Sequence, residues 1–296
     1  MIVAIFKNES HVMEEWLNHY IQQGVTHFYM TDNGSTDNWQ HIVEGKPVTM
    51  RTDPKKHAQE WHYNEFLTVV KDTADWVLVV DLDEFMYARN GDTLTAMLDN
   101  YPSTVGQIRV RWKDFGSHGH IEQPLSVVHG FTSRMNGAHA LDTDTKSFTR
   151  TAHLVEMGIH KSKTIQDCDH VFEPAGLSED DLQLAPIHLN HYRIQSRDWF
   201  MNVKMTRGDG VNPQSDAIRN LEYFQEWDYR EQPDSELSDL YKGNPVKKTM
   251  VIMSPPKRTV PGVAVALLIL IIIVSTFMGI WLYFRISRPT GSARKA

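Results

Sequence analysis

Cysteine is almost absent from this 296-residue chain: Cys168 stands alone. No disulfide can therefore close within it, and a single free thiol suits a reducing compartment. Basic charge is also scarce. The chain carries 30 Lys and Arg against 37 Asp and Glu, a formal net charge of -7. Residues 260–296 hold four basic side chains and no acidic one, which leaves 26 against 37 on residues 1–259. An acidic body of this kind argues against an electrostatic nucleic-acid binder, which would show basic stripes, so no nucleic-acid partner is expected. No internal repeat is present. A hydrophobic content of 41% is enough for a real core, as one large domain or two small ones.

Long uncharged runs are rare too, with one exception. Gly262 to Phe284 is 23 consecutive residues without a charge. As a helix that run spans roughly 34 Å, slightly more than the hydrocarbon core of a bilayer. Trp281 and Tyr283 lie near one end, where amphipathic rings favour the membrane interface. Residues 260–285 are therefore expected to be a single-pass membrane helix, with a short basic tail at 286–296. Lys and Arg flank the run on both sides, so the positive-inside rule does not orient it. The first residues offer only Met1 to Phe6 before Lys7-Asn8-Glu9, too short for the apolar region of a signal peptide. The expectation is a membrane-anchored protein whose large amino-terminal part is cytoplasmic.

Along residues 1–85 strand-like and helix-like patterns alternate. Ile2 to Phe6 reads as a strand. Ser10 to Gln23 places Val12, Met13, Trp16, Leu17, Tyr20 and Ile21 at helical spacing, and Gly24 closes the helix. Thr26 to Met30 and Val48 to Arg51 are further strands, with a short helix at Asn38 to Val43 between them. Lys56 to Thr73 reads as one helix with Trp61, Phe66, Leu67 and Val70 on one side. Such alternation implies an α/β fold with a mainly parallel sheet and right-handed crossovers. Beyond residue 85 the pattern changes to antiparallel additions: a helix at Leu94 to Asn100, then strands at Val105 to Trp112, Ser126 to His129, Lys146 to Arg150 and Ile187 to Tyr192. Helices come next, from Ser196 to Arg207 and from Gln214 to Trp227. One domain is thus expected over residues 1–227, with 228–259 a proline-bearing linker to the membrane.

The chemistry centres on Trp76 to Val80 and the acidic residues directly after it. Five apolar residues rich in Val are the signature of a strand buried on both faces, and Asp81-Leu82-Asp83-Glu84-Phe85 places three carboxylates within four residues at its end. The carboxyl ends of parallel strands are where such sheets bind ligands. In a continuing strand Asp81 and Asp83 share a face and Glu84 points the other way. Two acids that close repel unless a cation neutralises them, which suggests a hard divalent metal accompanied by phosphates. Two metal-dependent classes carry such a triplet: transferases of sugars from nucleotide diphosphate-sugars, and phosphotransferases of the haloacid-dehalogenase type. The second wants its triplet on the first strand and Thr or Val where Phe85 stands. A third possibility is a catalytically silent sugar-binding scaffold.

The sequence resembles the glycosyltransferase family 2-like group of GT-A fold, related to the DUF23 glycosyltransferases, over about residues 1–210. The residues that carry the likeness are Lys7-Asn8-Glu9, Glu15-Trp16-Leu17 with His19, Asp32-Asn33 with Ser35 and Asp37, and Asp81 to Phe85. Later come Trp112 with Phe115-Gly116, Phe131, Lys146, His160, Asn190-His191-Tyr192, Ser196, Lys204 and Arg207-Gly208. The resemblance implies an inverting transferase with these roles. Glu9 and Asp32 accept hydrogen bonds from the base and ribose of the donor. Asp81 lies near ribose and metal, Asp83 coordinates Mn²⁺ or Mg²⁺ on the diphosphate, and His191 is a further metal or phosphate contact. Lys204 and Arg207 reach phosphate oxygens. The general base is Glu84 or Asp114, and the acceptor is a glycan, a lipid-linked sugar or another hydroxyl.

Each residue also has a plainer role open to it. Glu9 and Asp32 can cap the elements after them. His191 can be structural, and Lys204 with Arg207 a solvated helix face. His188 and His191 lack the second ligand pair of a structural zinc, and His118 and His120 sit in a glycine-bearing loop. Trp16, Tyr20, Trp61 and Phe66 are expected in the core. The enzymatic expectation rests on Asp81 and Asp83 facing a cavity; it fails if they turn away from any cavity or are paired off with basic neighbours in the interior.

Overall fold

The computed structural model describes residues 1–242 apart from Asn90, 140–144 and Asp216. Four strands, β1 (Ile2–Phe6), β2 (Phe28–Asp32), β3 (Val48–Thr52) and β4 (Trp76–Val79), lie in the order β3-β2-β1-β4, all parallel. The sheet continues with β5 (Glu84–Ala88), β6 (Val105–Asp114), β7 (Thr145–Arg150), β8 (Asp169–Glu173) and β9 (Ile187–His191). β7 runs antiparallel between β4 and β6 and joins the two halves. β6 is long enough to take β8 along its first part and β9 at its end, and β5 closes the edge antiparallel to β9. The parallel half is as expected, but the additions are not all antiparallel: only β7 and β5 reverse direction, while β6 runs parallel to β4 and takes β8 and β9 in parallel pairing.

Both faces of the parallel half are covered, which is why its strands are apolar at consecutive positions. Ile2, Ala4 and Phe6 pack with Val12, Trp16 and Leu17 of the Ser10–Gln22 helix on one face. Val3, Val77 and Val79 pack with Tyr63, Phe66 and Val70 on the other. The first helix stops where expected. Gly24 has φ +87°, and a Cβ there would lie 2.0 Å from the Thr95 hydroxyl.

Several expectations fail for identifiable reasons. The second strand begins at Phe28 and runs on to Asp32. The long helix at 56–73 is two, Gln59–Asn64 and Leu67–Thr73. Trp61 is 39% exposed instead of core, with Lys55 and Arg51 4.1 and 4.7 Å from its ring centroid. Ser126 to His129 is not a strand. Ser126 caps the helical turn Val127–Gly130, and the buried Glu15 carboxylate accepts from the Ser126 hydroxyl and the Val127 N–H. An acid at a helix start outweighs the β preference of two valines. The helix after Ser196 ends at Asn202 and gives way to a 3₁₀ turn, Lys204–Thr206. The last expected helix shrinks to Leu221–Glu226, capped by Asn220.

The linker expectation fails over residues 228–242, which belong to the domain. A Cβ on Gly116 would lie 2.1 Å from the Tyr229 carbonyl, so the two backbones touch. Gln232–Pro233 pairs with Ser133–Arg134, and the Glu236–Lys242 helix buries Leu237 and Tyr241. The rest of that segment, the expected membrane helix at 260–285 and the basic tail lie outside the described residues. Among the described residues no helix is long and apolar enough to cross a membrane.

Candidate active site

A cavity of about 340 Å³ opens at the carboxyl ends of β1, β2, β4, β6 and β9. Lys7 and Glu9 line it from the end of β1, Asn33 from β2, Asp81, Asp83 and Glu84 from the turn after β4, Trp112 from β6, and His191 and Arg193 from β9. Seven Lys and Arg side chains face it against five carboxylates, so an acidic chain carries a cavity of net positive lining. Such a lining suits an anionic ligand.

The expected strand through Asp81 to Glu84 does not continue. β4 ends at Val79, the chain turns, and β5 starts at Glu84. Two buried aromatics of the first helix hold this turn: Trp16 Nε1 donates to the carbonyls of Asp81 and Glu84 at 3.0 Å each, and the Tyr20 hydroxyl donates to the Glu84 carbonyl at 3.1 Å. Strand alternation therefore does not decide where the acids point. Asp83, Glu84 and His191 bring ligand atoms within 4.8 Å of one another, and Asp81 is outside that group. The Asp81 carboxylate instead meets Lys146 at 2.7 Å, with Gln59 and Tyr63 donating to its other oxygen at 3.3 Å each.

The group fits a divalent cation. The Asp114 carboxylate can only accept, so His191 Nδ1, 2.9 Å from it, carries the proton, and the other ring nitrogen keeps its lone pair. Burial pushes the His191 pKa down, against the pull of Asp114 and Asp83, which keeps the ring neutral. Its Nε2 lies 3.8 Å from Asp83 Oδ1, and Glu84 Oε1 is buried without a hydrogen-bond partner. A carboxylate behind a histidine, with a second carboxylate in front, is how proteins orient a metal-ligating imidazole.

The electrostatics are more balanced than the sequence suggested. Lys204 Nζ lies 2.5 Å from Asp83 Oδ2, and Lys146 lies 2.7 Å from Asp81 and 3.3 Å from Glu84. Both aspartates are thus paired with lysines, the condition set against the enzymatic expectation, yet both also line the cavity. Burial alone raises the Asp83 carboxyl, but Lys204, with His191 and Arg207, holds it well below the ordinary range. Burial pushes Glu84 up to about 8, opposed by Lys146 and helped by Asp81 and Asp83. Lys146, which burial alone would depress, is held charged chiefly by Asp81, so the proton in this cluster sits on Glu84.

Glu9 makes no cap to the first helix; its carboxylate pairs with Arg207 at 3.0 Å. Burial raises its pKa, and Arg207 opposes the rise. Lys204 and Arg207 are not a solvated face, since both turn inward onto carboxylates. Asp32 is a correction: its Oδ1 accepts from the Ser35 N–H at 2.7 Å and shapes the turn after β2, while Asn33 takes the cavity wall. Asp114 is another. It sits behind His191, 1% exposed and bonded to His191 and Arg193, so it does not reach an acceptor in the cavity. Residues not foreseen for the site are Arg193, stacked 3.6 Å from the Trp227 ring centroid, Tyr223, and Lys55 and Lys56. Arg193 comes directly after His191-Tyr192 and was the one legible from its neighbours.

Comparison with known proteins gives the family. The sequence profile of glycosyltransferase family 92 matches residues 3–237, and the chain belongs to that family. A family 92 protein of Oryza sativa subsp. japonica is 23% identical over 202 residues, 66% of this chain and 33% of its own length. One from Ricinus communis is 26% identical over 203 residues, 66% of this chain and 35% of its own. The chain thus spans about a third of the length of these relatives. Among solved structures, glucosyl-3-phosphoglycerate synthase from Mycobacterium tuberculosis overlaps 52% of this chain and 57% of its own at 12% identity and a TM-score of 0.34, too slight to bear on function. The family is one of glycosyltransferases, not of phosphotransferases of the haloacid-dehalogenase type.

Proposed function

We propose that this chain transfers a sugar from a nucleotide diphosphate-sugar to a hydroxyl of a glycan, lipid-linked or other acceptor, with inversion and with Mn²⁺ or Mg²⁺, on a GT-A-type scaffold. The observation that carries the proposal is the Asp83, Glu84 and His191 group on the wall of a basic cavity at the strand ends. Asp83 and His191 are the ligands, and Asp114 fixes the imidazole. A divalent cation held there supplies Lewis-acid assistance to the departing diphosphate. Lys204 and Arg207 stand beside it to meet phosphate oxygens, and Glu9 and Asn33 at the ends of β1 and β2 face the nucleoside. Of the two base candidates only Glu84 lines the cavity; with its pKa pushed up to about 8, the ionised form that can take the acceptor proton grows as pH rises toward and past 8. The uncharged run at Gly262 to Phe284 supports membrane anchorage as part of the same proposal.

A second reading has a specific observation behind it: lysines already neutralise both aspartates, as a silent sugar-binding scaffold would allow. Incubating the full chain with UDP- and GDP-sugars, without acceptor, separates the two. Release of nucleoside diphosphate that requires Mn²⁺ supports the transferase. A melting temperature raised by a nucleotide-sugar, with no turnover under any condition, supports the scaffold.

A further inference from the structure

We propose that Lys204 is a resident cation at Asp83, opposing the divalent ion until a diphosphate draws the lysine away. This rests on the proposed metal role of Asp83 and goes beyond it. One oxygen of Asp83 meets Lys204 at 2.5 Å while the other faces His191 Nε2 at 3.8 Å. A single carboxylate is therefore shared between an ammonium and the place a metal would take. A cation held by Asp83 Oδ1 and His191 would share one carboxylate with the lysine ammonium. Like charges that close in a partly dry cavity disfavour one another strongly.

The two lysines of the site differ in their freedom to respond. Lys146 lies within β7, fully buried, bridging Asp81 and Glu84. Lys204 lies on a single 3₁₀ turn, Lys204–Thr206, with Gly208 at φ +74° just beyond it. The same turn ends in Arg207, tied to Glu9 at 3.0 Å and to the Asn8 carbonyl at 3.2 Å. Two ion pairs thus strap this turn to the ends of β1 and β4 across the cavity. Diphosphate oxygens accept the same N–H groups that the carboxylates hold. Diphosphate binding therefore removes the charge that weakens the metal, and by linkage the metal frees the lysine for the diphosphate.

The test is Mn²⁺ binding by the full-length protein, tracked through the electron paramagnetic resonance of free Mn²⁺, first alone and then with UDP. Lys204→Met and Lys204→Gln are expected to bind Mn²⁺ alone about tenfold more tightly than the natural protein, or better, as a repelling charge is lost. Lys204→Arg, which keeps the charge, stays near the natural value. UDP tightens Mn²⁺ strongly in the natural protein and less in the two neutral variants. Circular dichroism checks each fold, and the Gln variant, which retains hydrogen bonding to Asp83, stands in should the Met variant fail to fold. Neutral variants that bind Mn²⁺ no more tightly overturn the inference while leaving the metal role of Asp83 intact. Absence of Mn²⁺ binding in every form, with and without UDP, overturns both.

Discussion

Around Lys113 and around Asp83 the chain buries charge of both signs in comparable density. Lys113 is fully buried and meets Tyr87 at 2.8 Å, Asp234 at 2.9 Å and Glu236 at 3.5 Å. Arg134 bonds Asp234 and Glu179, and His188 bonds Glu236 and the Leu182 carbonyl. No polar side-chain atom of Lys113, Arg134, His188, Asp234 or Glu236 is left buried without a partner. The cluster at Asp83 differs on this point: Glu84 Oε1 is orphaned and the acids look onto a cavity. Adjacent residues of β6 serve the two clusters, Trp112 facing the cavity and Lys113 the closed network. Buried charge alone does not mark a site; a polar atom left unsatisfied beside open space does. The closed network fastens residues 228–242 to the domain, and the open one is available to a ligand.

That contrast can be broken by substitution. Lys113→Met leaves carboxylates short of a partner and is expected to cost about 3–5 kcal/mol, a fall in Tm of roughly 10 °C, with Mn²⁺ affinity unchanged. Urea melts and Mn²⁺ titration of the same sample check both halves. Asp83→Asn should do the reverse: sugar transfer falls by about 10²–10³ with Tm nearly constant. If both variants lose stability alike, the distinction between the clusters fails. Asp114→Asn sharpens the same comparison. It removes the carboxylate that orients His191 and should weaken Mn²⁺ about 10–100-fold.

The smallest effect concerns pH. His19 is buried, accepts from the Tyr241 hydroxyl and donates to the Met86 carbonyl, and burial lowers its pKa to about 4. Above the ordinary value of 6.5 the ring is neutral in both folded and unfolded chains. As pH falls from 6.5 through about 4 the unfolded chain takes up a proton that the folded one refuses, so stability is lost on the acid side, on the order of 2 kcal/mol at pH 5. His19→Gln should flatten that part of the stability curve measured by urea melts. An unaltered slope would mean that the closed side of the molecule does not depend on a neutral imidazole.

The parallel half was legible because its code is local. Val77 to Val80 reads as a doubly buried strand, Val12 to Tyr20 as a helix, and Gly24 as its stop, each from neighbours a few positions away. The acids after β4 were legible for the same reason, but of the expected ligands Asp81, Asp83 and His191 the structure brings only the last two together, with Glu84 in place of Asp81. Couplings between residues far apart in the chain were not. Glu15 capping Val127, Lys146 meeting Asp81, and Arg207 meeting Glu9 couple positions 65 to 198 residues apart. A sequence can show that a lysine exists but not which carboxylate it reaches. The same limit made residues 228–242 look like a linker, because their prolines and charges signal irregular backbone whether or not Lys113 and Arg134 wait to receive them.

By itself, then, the order of residues determined the parallel strands and the first helix, and the clustering of acids after β4, since periodicity acts over a few residues. Only the tertiary structure decided which acids face the cavity, that two lysines share it with them, and that Asp32 and Asp114 stand back from its wall. Those outcomes depend on where the sheet ends bring distant side chains, and on whether each buried charge finds a partner there.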